Sequence, residues 1–392
     1  MVHKINKIAL QILQWLGLTL SSFFASKIIL QLHLTQNFTF PLQILLLLLS
    51  LNSQPLISII IPVYNKKKYL QNTLNSVFAQ TNSLFELVCV DDFSTDGSIQ
   101  ILNDQLKLTH GPNDLNTSNG NPDQNNESNQ KDSYGQREND NKQNKQNQIK
   151  MKVIRNGQNK GLLKARQIGV EHATGEYILN LDADDLINKR TIEKLSEQLK
   201  KNKDIDIIHF RETILEITEN GGYERNQFTW ADPQKYSVVK KPNILPLITK
   251  TGMGFSAHGK LIKRSLYLKI FNMLQNDKHI IYSEDFLQTV LLYEQAQSYL
   301  GVNITLYNYI QREDGAIMQV ASQTQKRIDD LIYVTKSLKQ LVSQEHQWDI
   351  MKNVVTFMIQ ASQHNCQIKE QFYPLLNKEW KQVLKKGQCQ SL

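Results

Sequence analysis

The chain has 392 residues, 40% of them hydrophobic, and a formal net charge of +8. That length supports one large α/β core with an appendage. The positive charge suits anionic ligands or a membrane surface, but it forms no basic stripe interleaved with aromatics, which argues against a nucleic-acid partner. Three cysteines, Cys89, Cys366 and Cys389, give neither a disulfide framework nor a metal-ligand spacing.

Residues 1–53 contain Lys4, Lys7 and Lys27 but no acid. Residues 8–26 are uncharged and about long enough to span a bilayer, although Gln11, Gln14 and several hydroxyls dilute them. Residues 42–49 are more apolar but shorter, like the h-region of a signal peptide. The expectation is a single signal anchor that tethers the chain to a secretory-pathway membrane, ER or Golgi. A cytosolic location is the competing reading. The sequons at Asn37, Asn116, Asn126 and Asn303 fit a lumenal site, but an Asn-rich chain also produces them by chance.

From residue 55 the pattern changes to alternating strands and helices. Residues 58–63 (Ser-Ile-Ile-Ile-Pro-Val) form an apolar run suited to a fully buried parallel strand. A helix is predicted over 69–80, with Leu70, Leu74, Val77 and Phe78 on one face. A second buried strand over 85–90 ends in Asp91-Asp92, and Ser94 or Thr95 is a candidate cap for the next helix. Residues 103–148 are rich in Asn, Gln, Asp, Ser and Gly and cannot offset their ordering entropy by burial; they read as a disordered insertion. A strand over 151–154 resumes the fold. This order points to α/β architecture with a doubly wound, mostly parallel sheet.

The next strand ends abruptly in carboxylates: Tyr177-Ile178-Leu179, then Leu181-Asp182-Ala183-Asp184-Asp185. Open α/β sheets bind ligands at the carboxyl ends of their strands. Clustered carboxylates repel unless a cation lies between them, and oxygen-only ligands select Mg²⁺ or Mn²⁺. A phosphate ester held through a divalent metal is the implied ligand. The plainer alternative is an acidic turn that caps a helix starting near Asn188.

These segments carry a resemblance. Ile60-Ile61-Pro62-Val63-Tyr64-Asn65, Val90-Asp91-Asp92-Phe93-Ser94-Thr95-Asp96-Gly97-Ser98, Asn159-Lys160-Gly161 with Ala165-Arg166, and Gly175 through Asp185 occur in order. Together they resemble the nucleotide-binding half of the inverting family 2 glycosyltransferases, which have the GT-A fold, over roughly residues 55–315. The resemblance implies transfer of a sugar from a nucleotide-sugar donor, UDP above all, to the hydroxyl of a glycan, protein or lipid acceptor. It implies that Pro62, Tyr64, Asp92 and Asp182 face the nucleotide, with Tyr64 against the base and Asp92 accepting a hydrogen bond from it. Asp184 would be the metal ligand for Mn²⁺ or Mg²⁺. Strand-end packing for Tyr64 and an Asx-turn for Asp92 are their structural alternatives. Phe93 stands where the family usually has Gly, so this turn lacks glycine's easy access to positive φ. Arg166 reads as a structural partner of one of these carboxylates, with a diphosphate contact as its alternative.

Further on, Tyr282-Ser283-Glu284-Asp285 opens a helix and resembles the family's Glu-Asp motif, which implies Asp285 as the base that activates the acceptor. Two acids favouring the helix dipole are the alternative. Glu284 and His258 fall on the acceptor side, where His258 is either a ligand contact or a satisfied structural histidine. Arg312 lies near the diphosphate or on the surface. Residues 316–392 read as a helical extension, with no apolar stretch long enough to cross a membrane. The Gln-x-x-Arg-Trp motif of the family's polymer-extruding synthases is missing, which favours transfer of one or a few sugars. A catalytically silent sugar-nucleotide or glycan binder and a nucleotidyltransferase are the other readings. The second lacks its Gly-rich pyrophosphate loop.

Overall fold

Three consecutive isoleucines set the layering. Ile59, Ile60 and Ile61 have no solvent exposure, yet a strand sends successive side chains to opposite faces. Ile60 packs into one apolar cluster, and Ile59 and Ile61 pack into another. A strand buried on both sides needs helices on both sides. The computed structural model describes residues 56–109, 149–218, 222–225, 238–251, 254–274, 278–312, 324–347 and 350.

The first half alternates β1 (Ile57–Val63), α1 (Lys67–Phe78), β2 (Phe85–Asp91), α2 (Ser98–Thr109), β3 (Lys150–Arg155), α3 (Leu162–His172) and β4 (Tyr177–Asn180). β1 pairs in parallel with β2 on one side and β4 on the other, and β2 with β3. The second half runs β5 (Leu186–Ile187), α4 (Thr191–Lys201), β6 (Ile207–Ile217), β7 (Tyr223–Arg225), β8 (Val239–Lys240), α5 (Ile244–Thr251), β9 (Lys260–Lys263), α6 (Arg264–Leu274), α7 (Glu284–Gln295), β10 (Ser298–Gln311) and α8 (Thr324–Leu341). The sheet order is β3-β2-β1-β4-β9-β6-β10-β5, with β7 on β6 and β8 on β10. β9 is antiparallel to both its neighbours, and β6 and β10 are parallel.

One cluster lies under α3, α5, α6, α7 and α8, the other under α1, α2 and α4. Leu331, Val334 and Leu338 of α8 belong to the first cluster together with Ile60 and Val90 of the sheet. The α/β class and parallel central strands expected from the sequence are present. Among the described residues no helix is long and apolar enough to cross a membrane. The expected signal anchor in residues 1–53 lies outside the described residues.

Three local expectations are corrected. The insertion does not begin at 103, because α2 continues to Thr109, with Leu102, Gln105 and Thr109 buried at helical spacing; residues 110–148 lie outside the described residues. Neither Ser94 nor Thr95 caps α2: the Ser98 amide donates to Asp96 Oδ1 at 2.9 Å, while Ser94 Oγ accepts from the Asn65 amide at 3.0 Å. Asp185 does not cap a helix either. It is buried, and its oxygens accept from Tyr307 Oη at 2.7 Å and the Ile310 amide at 2.8 Å, which ties β10 to the acidic turn.

Candidate active site

The chain leaves β1 toward β2 and β3, then returns to the other side of β1 as β4. This reversal opens a crevice at the carboxyl ends of β1 and β4, the place where doubly wound sheets take ligands. Lys66 follows β1 and Asp184 follows β4, and their side chains form an ion pair across that crevice. Arg312, at the end of β10, pairs with the same Asp184 oxygen. Its guanidinium also lies 4.4 Å from the centre of the Tyr69 ring. Asp184 is thus a buried carboxylate facing two cations at the switch point.

Arg166 of α3 is the second node. Its side chain has no solvent exposure. Nη2 donates to Asp182 Oδ1 at 2.9 Å, Nη1 donates to Asp285 Oδ1, and Glu284 lies 3.8 Å from Nη1. A buried guanidinium without such partners would be prohibitively costly, so this pairing joins the end of β4 to the start of α7. Burial alone would raise the Asp285 pKa, but Arg166 and then His258 hold it below the ordinary carboxylate range. Burial and the Asp285 charge push Glu284 well above that range. The Asp285 side chain keeps 30% exposure, so the ionised member of the pair is the one that solvent reaches.

His258 sits in a third cluster. Its Nδ1 meets Glu212 Oε1 at 2.8 Å, and its ring stacks on Tyr307 with centroids 4.8 Å apart. Burial opposes its protonation, but the charge and hydrogen bond of Glu212 outweigh it and raise the pKa to about 9. Lys260, fully buried nearby, donates to the carbonyls of Ser256 at 2.8 Å and His258 at 3.1 Å; burial takes it down to about 8. Gly259 has φ +71°, and a side chain there would run into Glu212.

At the outer strands, Pro62 is buried within β1, and Tyr64, just beyond it, is 46% exposed. Asp92 is buried at the end of β2. Its oxygens accept from Asn156 Nδ2 at 2.7 Å and from the amides of Lys160 at 2.9 Å and Gly161 at 2.8 Å. It therefore braces the loop that starts α3. Phe93 takes φ +69° despite lacking glycine's freedom, a conformation that costs an L-residue roughly 1–2 kcal/mol.

The loop before α7 is held from the far end of the chain. Asp330 of α8, with no exposure, accepts from the amides of Ile281 at 3.0 Å and Tyr282 at 3.2 Å. Lys326 pairs with Asp330 and donates to the His279 carbonyl at 2.9 Å. Ser283 then enters α7 in a left-handed conformation. A side chain at Gly161 would strike His279, so this loop packs directly on the one that Asp92 braces.

Of the residues singled out from sequence, Asp182, Glu284 and Asp285 converge on Arg166, and Asp184 sits apart from them between Lys66 and Arg312. Glu212, Asn156 and Asp330 were missed. Glu212 is one of several polar residues in β6, and Asp330 lies in an amphipathic helix, so neither stood out by pattern.

Among the described residues no group of three or more His, Cys, Asp or Glu side chains is arranged to hold a metal. A cation brought in with a diphosphate needs only one or two carboxylates, because phosphate oxygens and waters complete its shell. Asp184, which already draws two positive groups, fits that chemistry.

The model of the family described as "Glycosyl transferase family 2" matches residues 58–121 and 136–271. The chain belongs to this family. An uncharacterized glycosyltransferase of Haemophilus influenzae is 26% identical over 254 residues, 64% of this chain and 80% of that one. Glycosyltransferase GlyG of Streptococcus pneumoniae is 27% identical over 153 residues, 39% of this chain and 38% of its own length. Among solved structures, the 1–349 portion of S. aureus TarS in complex with UDP-GlcNAc superposes with a TM-score of 0.53 at 19% identity, covering 84% of this chain and 79% of that one. At that identity the likeness speaks for the fold, which is the GT-A fold of family 2 glycosyltransferases.

Proposed function

We propose that this glycosyltransferase moves a sugar from a nucleotide-sugar, a UDP-sugar, to an acceptor hydroxyl in a single inverting displacement. The observation that carries this reading is the Arg166 bridge, which brings a donor-side carboxylate, Asp182, and the candidate base, Asp285, onto one guanidinium. The TarS structure with UDP-GlcNAc supports the choice of nucleotide.

In this reading Asp285, held ionised by Arg166, accepts the acceptor's hydroxyl proton. The acceptor oxygen attacks the anomeric carbon, and the bond to the diphosphate breaks with its electron pair on the leaving group. Base catalysis of this kind contributes roughly 10²–10⁴ in rate. Lys66 and Arg312 hold positive charge where the diphosphate would depart. Asp184 would hold Mn²⁺ or Mg²⁺, which supplies Lewis-acid stabilisation of the developing negative charge. Tyr64 offers its exposed ring to the base, Pro62 sets the strand end beneath it, and Asp92 keeps the adjoining loop in place.

The signal anchor read in residues 1–53 would put the site in the secretory lumen. Asn303, exposed on β10 with its sequon, then offers a glycan acceptor that a peptide-N-glycosidase mobility shift would detect. A thermal-shift panel of nucleotide-sugars with and without Mn²⁺ tests the donor. Stabilisation by a UDP-sugar, reaching about 2.7 kcal/mol at a hundredfold excess over Kd, is expected. NMR of the product should show inverted anomeric configuration; retention would overturn the single displacement.

A further inference from the structure

Phe93 occupies a conformation that its own chemistry does not favour. The other non-glycine residues with positive φ among the described residues are Asn65, Asp204 and Ser283, all polar. Their short side chains can form local hydrogen bonds that offset a left-handed backbone, whereas a phenyl ring cannot. Packing does not account for Phe93 either, because 43% of the residue is exposed. Its ring is propped by Arg155. The Arg155 guanidinium lies 5.9 Å from the ring centre, and Arg155 is itself anchored to buried Asp91 at 3.3 Å.

The location gives this ring a purpose. The Asp92 amide donates to the Val63 carbonyl at 2.7 Å, the Asn65 amide to Ser94 Oγ at 3.0 Å, and the Thr95 amide to Asn65 Oδ1 at 2.8 Å. These bonds stitch the segment after β1 to the segment after β2. They set Tyr64 and Phe93, two exposed aromatics, on neighbouring strand ends at the carboxyl side of the sheet. Strain that persists beside a ligand crevice, with no packing to account for it, is what a binding role would maintain.

We propose that Phe93 is a donor-binding residue: propped by Arg155, it joins Tyr64 in presenting an aromatic surface to the nucleobase. This assignment rests on the nucleotide-sugar reading above. It predicts a contribution to the base alone, since stacking recognises a flat heterocycle and is indifferent to phosphate.

The test is titration calorimetry on the full chain with UDP, GDP and inorganic pyrophosphate, comparing wild type with Phe93→Gly and Phe93→Tyr. Glycine takes positive φ freely, so Phe93→Gly should melt within a few degrees of wild type. It should bind UDP about tenfold more weakly, bind pyrophosphate as wild type does, and Phe93→Tyr should restore UDP affinity. Wild-type UDP affinity in Phe93→Gly, or an equal loss for UDP and pyrophosphate, would overturn the assignment while leaving the transferase reading intact. A wild-type protein that binds neither UDP nor GDP would remove the transferase reading itself, and this assignment with it.

Discussion

Two sets of buried or half-buried carboxylates, Glu86 at the amino end of the parallel strands and the Asp182, Asp184, Glu284 and Asp285 group at the carboxyl end, are held in opposite ways. At the amino end, Glu86 accepts from Ser58 Oγ at 2.6 Å, from the Thr174 amide, from Thr174 Oγ1 at 2.9 Å and from the Gly175 amide at 3.1 Å, with Lys152 at 3.2 Å. Burial would raise its pKa, but these bonds hold it below the ordinary range. At the carboxyl end, Asp182, Glu284 and Asp285 share one guanidinium, and Asp184 meets two cations partly open to solvent. Glu86 has its own full set of donors, whereas Asp182, Asp184, Glu284 and Asp285 divide Arg166, Lys66 and Arg312 among them. A carboxylate with dedicated backbone donors closes a fold. Carboxylates whose charge partners are side chains can exchange those partners for a ligand.

This contrast can be broken by experiment. The largest effect belongs to Asp285→Asn, expected to lower kcat by roughly 10²–10⁴ while the melting temperature stays within a few degrees; retained turnover would remove Asp285 from the reaction. Next comes Arg166→Leu, which strands three neighbouring acids and should cost about 3–5 kcal/mol by chemical denaturation. Arg166→Lys should rescue little of it, because a single ammonium cannot fork between Asp182 and Asp285. At the opposite end, Glu86→Gln should cost about 1–3 kcal/mol and leave kcat per folded molecule unchanged; a fall in kcat would erase the distinction between the two ends.

The smallest effect concerns Glu212→Gln. The folded-state pKa of His258 is raised from 6.5 to about 9, so its contribution is fully present below pH 6.5 and is lost as pH rises through 9. Lys260, depressed from 10.5 to about 8, slopes the other way, gaining stability across 8 to 10.5. Glu212, whose own pKa is lowered from 4.5, loses its contribution at the acid end, so the stability gap between wild type and Glu212→Gln should be widest between pH 4.5 and 6.5 and narrow toward pH 9. A gap that does not vary with pH would mean that Glu212 and His258 do not form an ion pair.

The parallel half of the sheet was legible because strands buried on both faces must be continuous apolar runs, and Ile59-Ile60-Ile61 and Leu87-Val88-Cys89 are such runs. Its acids were legible because they stand where those runs stop. The other half was not. β6 and β10 pair in parallel from segments far apart in the chain, and β10 shifts register between Val302 and Thr305 and again before Tyr307, so its alternation is broken. The Arg166 bridge was half legible: a charged residue on the buried face of α3 needs an acid, but only the fold brings Asp285 to it. Phe93 in a left-handed turn was signalled only by the glycine the family usually has there; that the residue keeps the conformation depends on hydrogen bonds between Asn65 and the Ser94–Thr95 segment, which the fold alone brings together.

The tether between α8 and the loop at 279–282 extends the reach of the chain's later residues. The family match stops at residue 271, before both the Glu284–Asp285 pair and Asp330. On the proposed role of Asp285, a relative could keep every motif of the matched region and still aim its proton acceptor differently, merely by ending in another helix. On that proposal α8 helps to orient the acceptor side of the site, although it lies beyond the strands that carry the shared motifs.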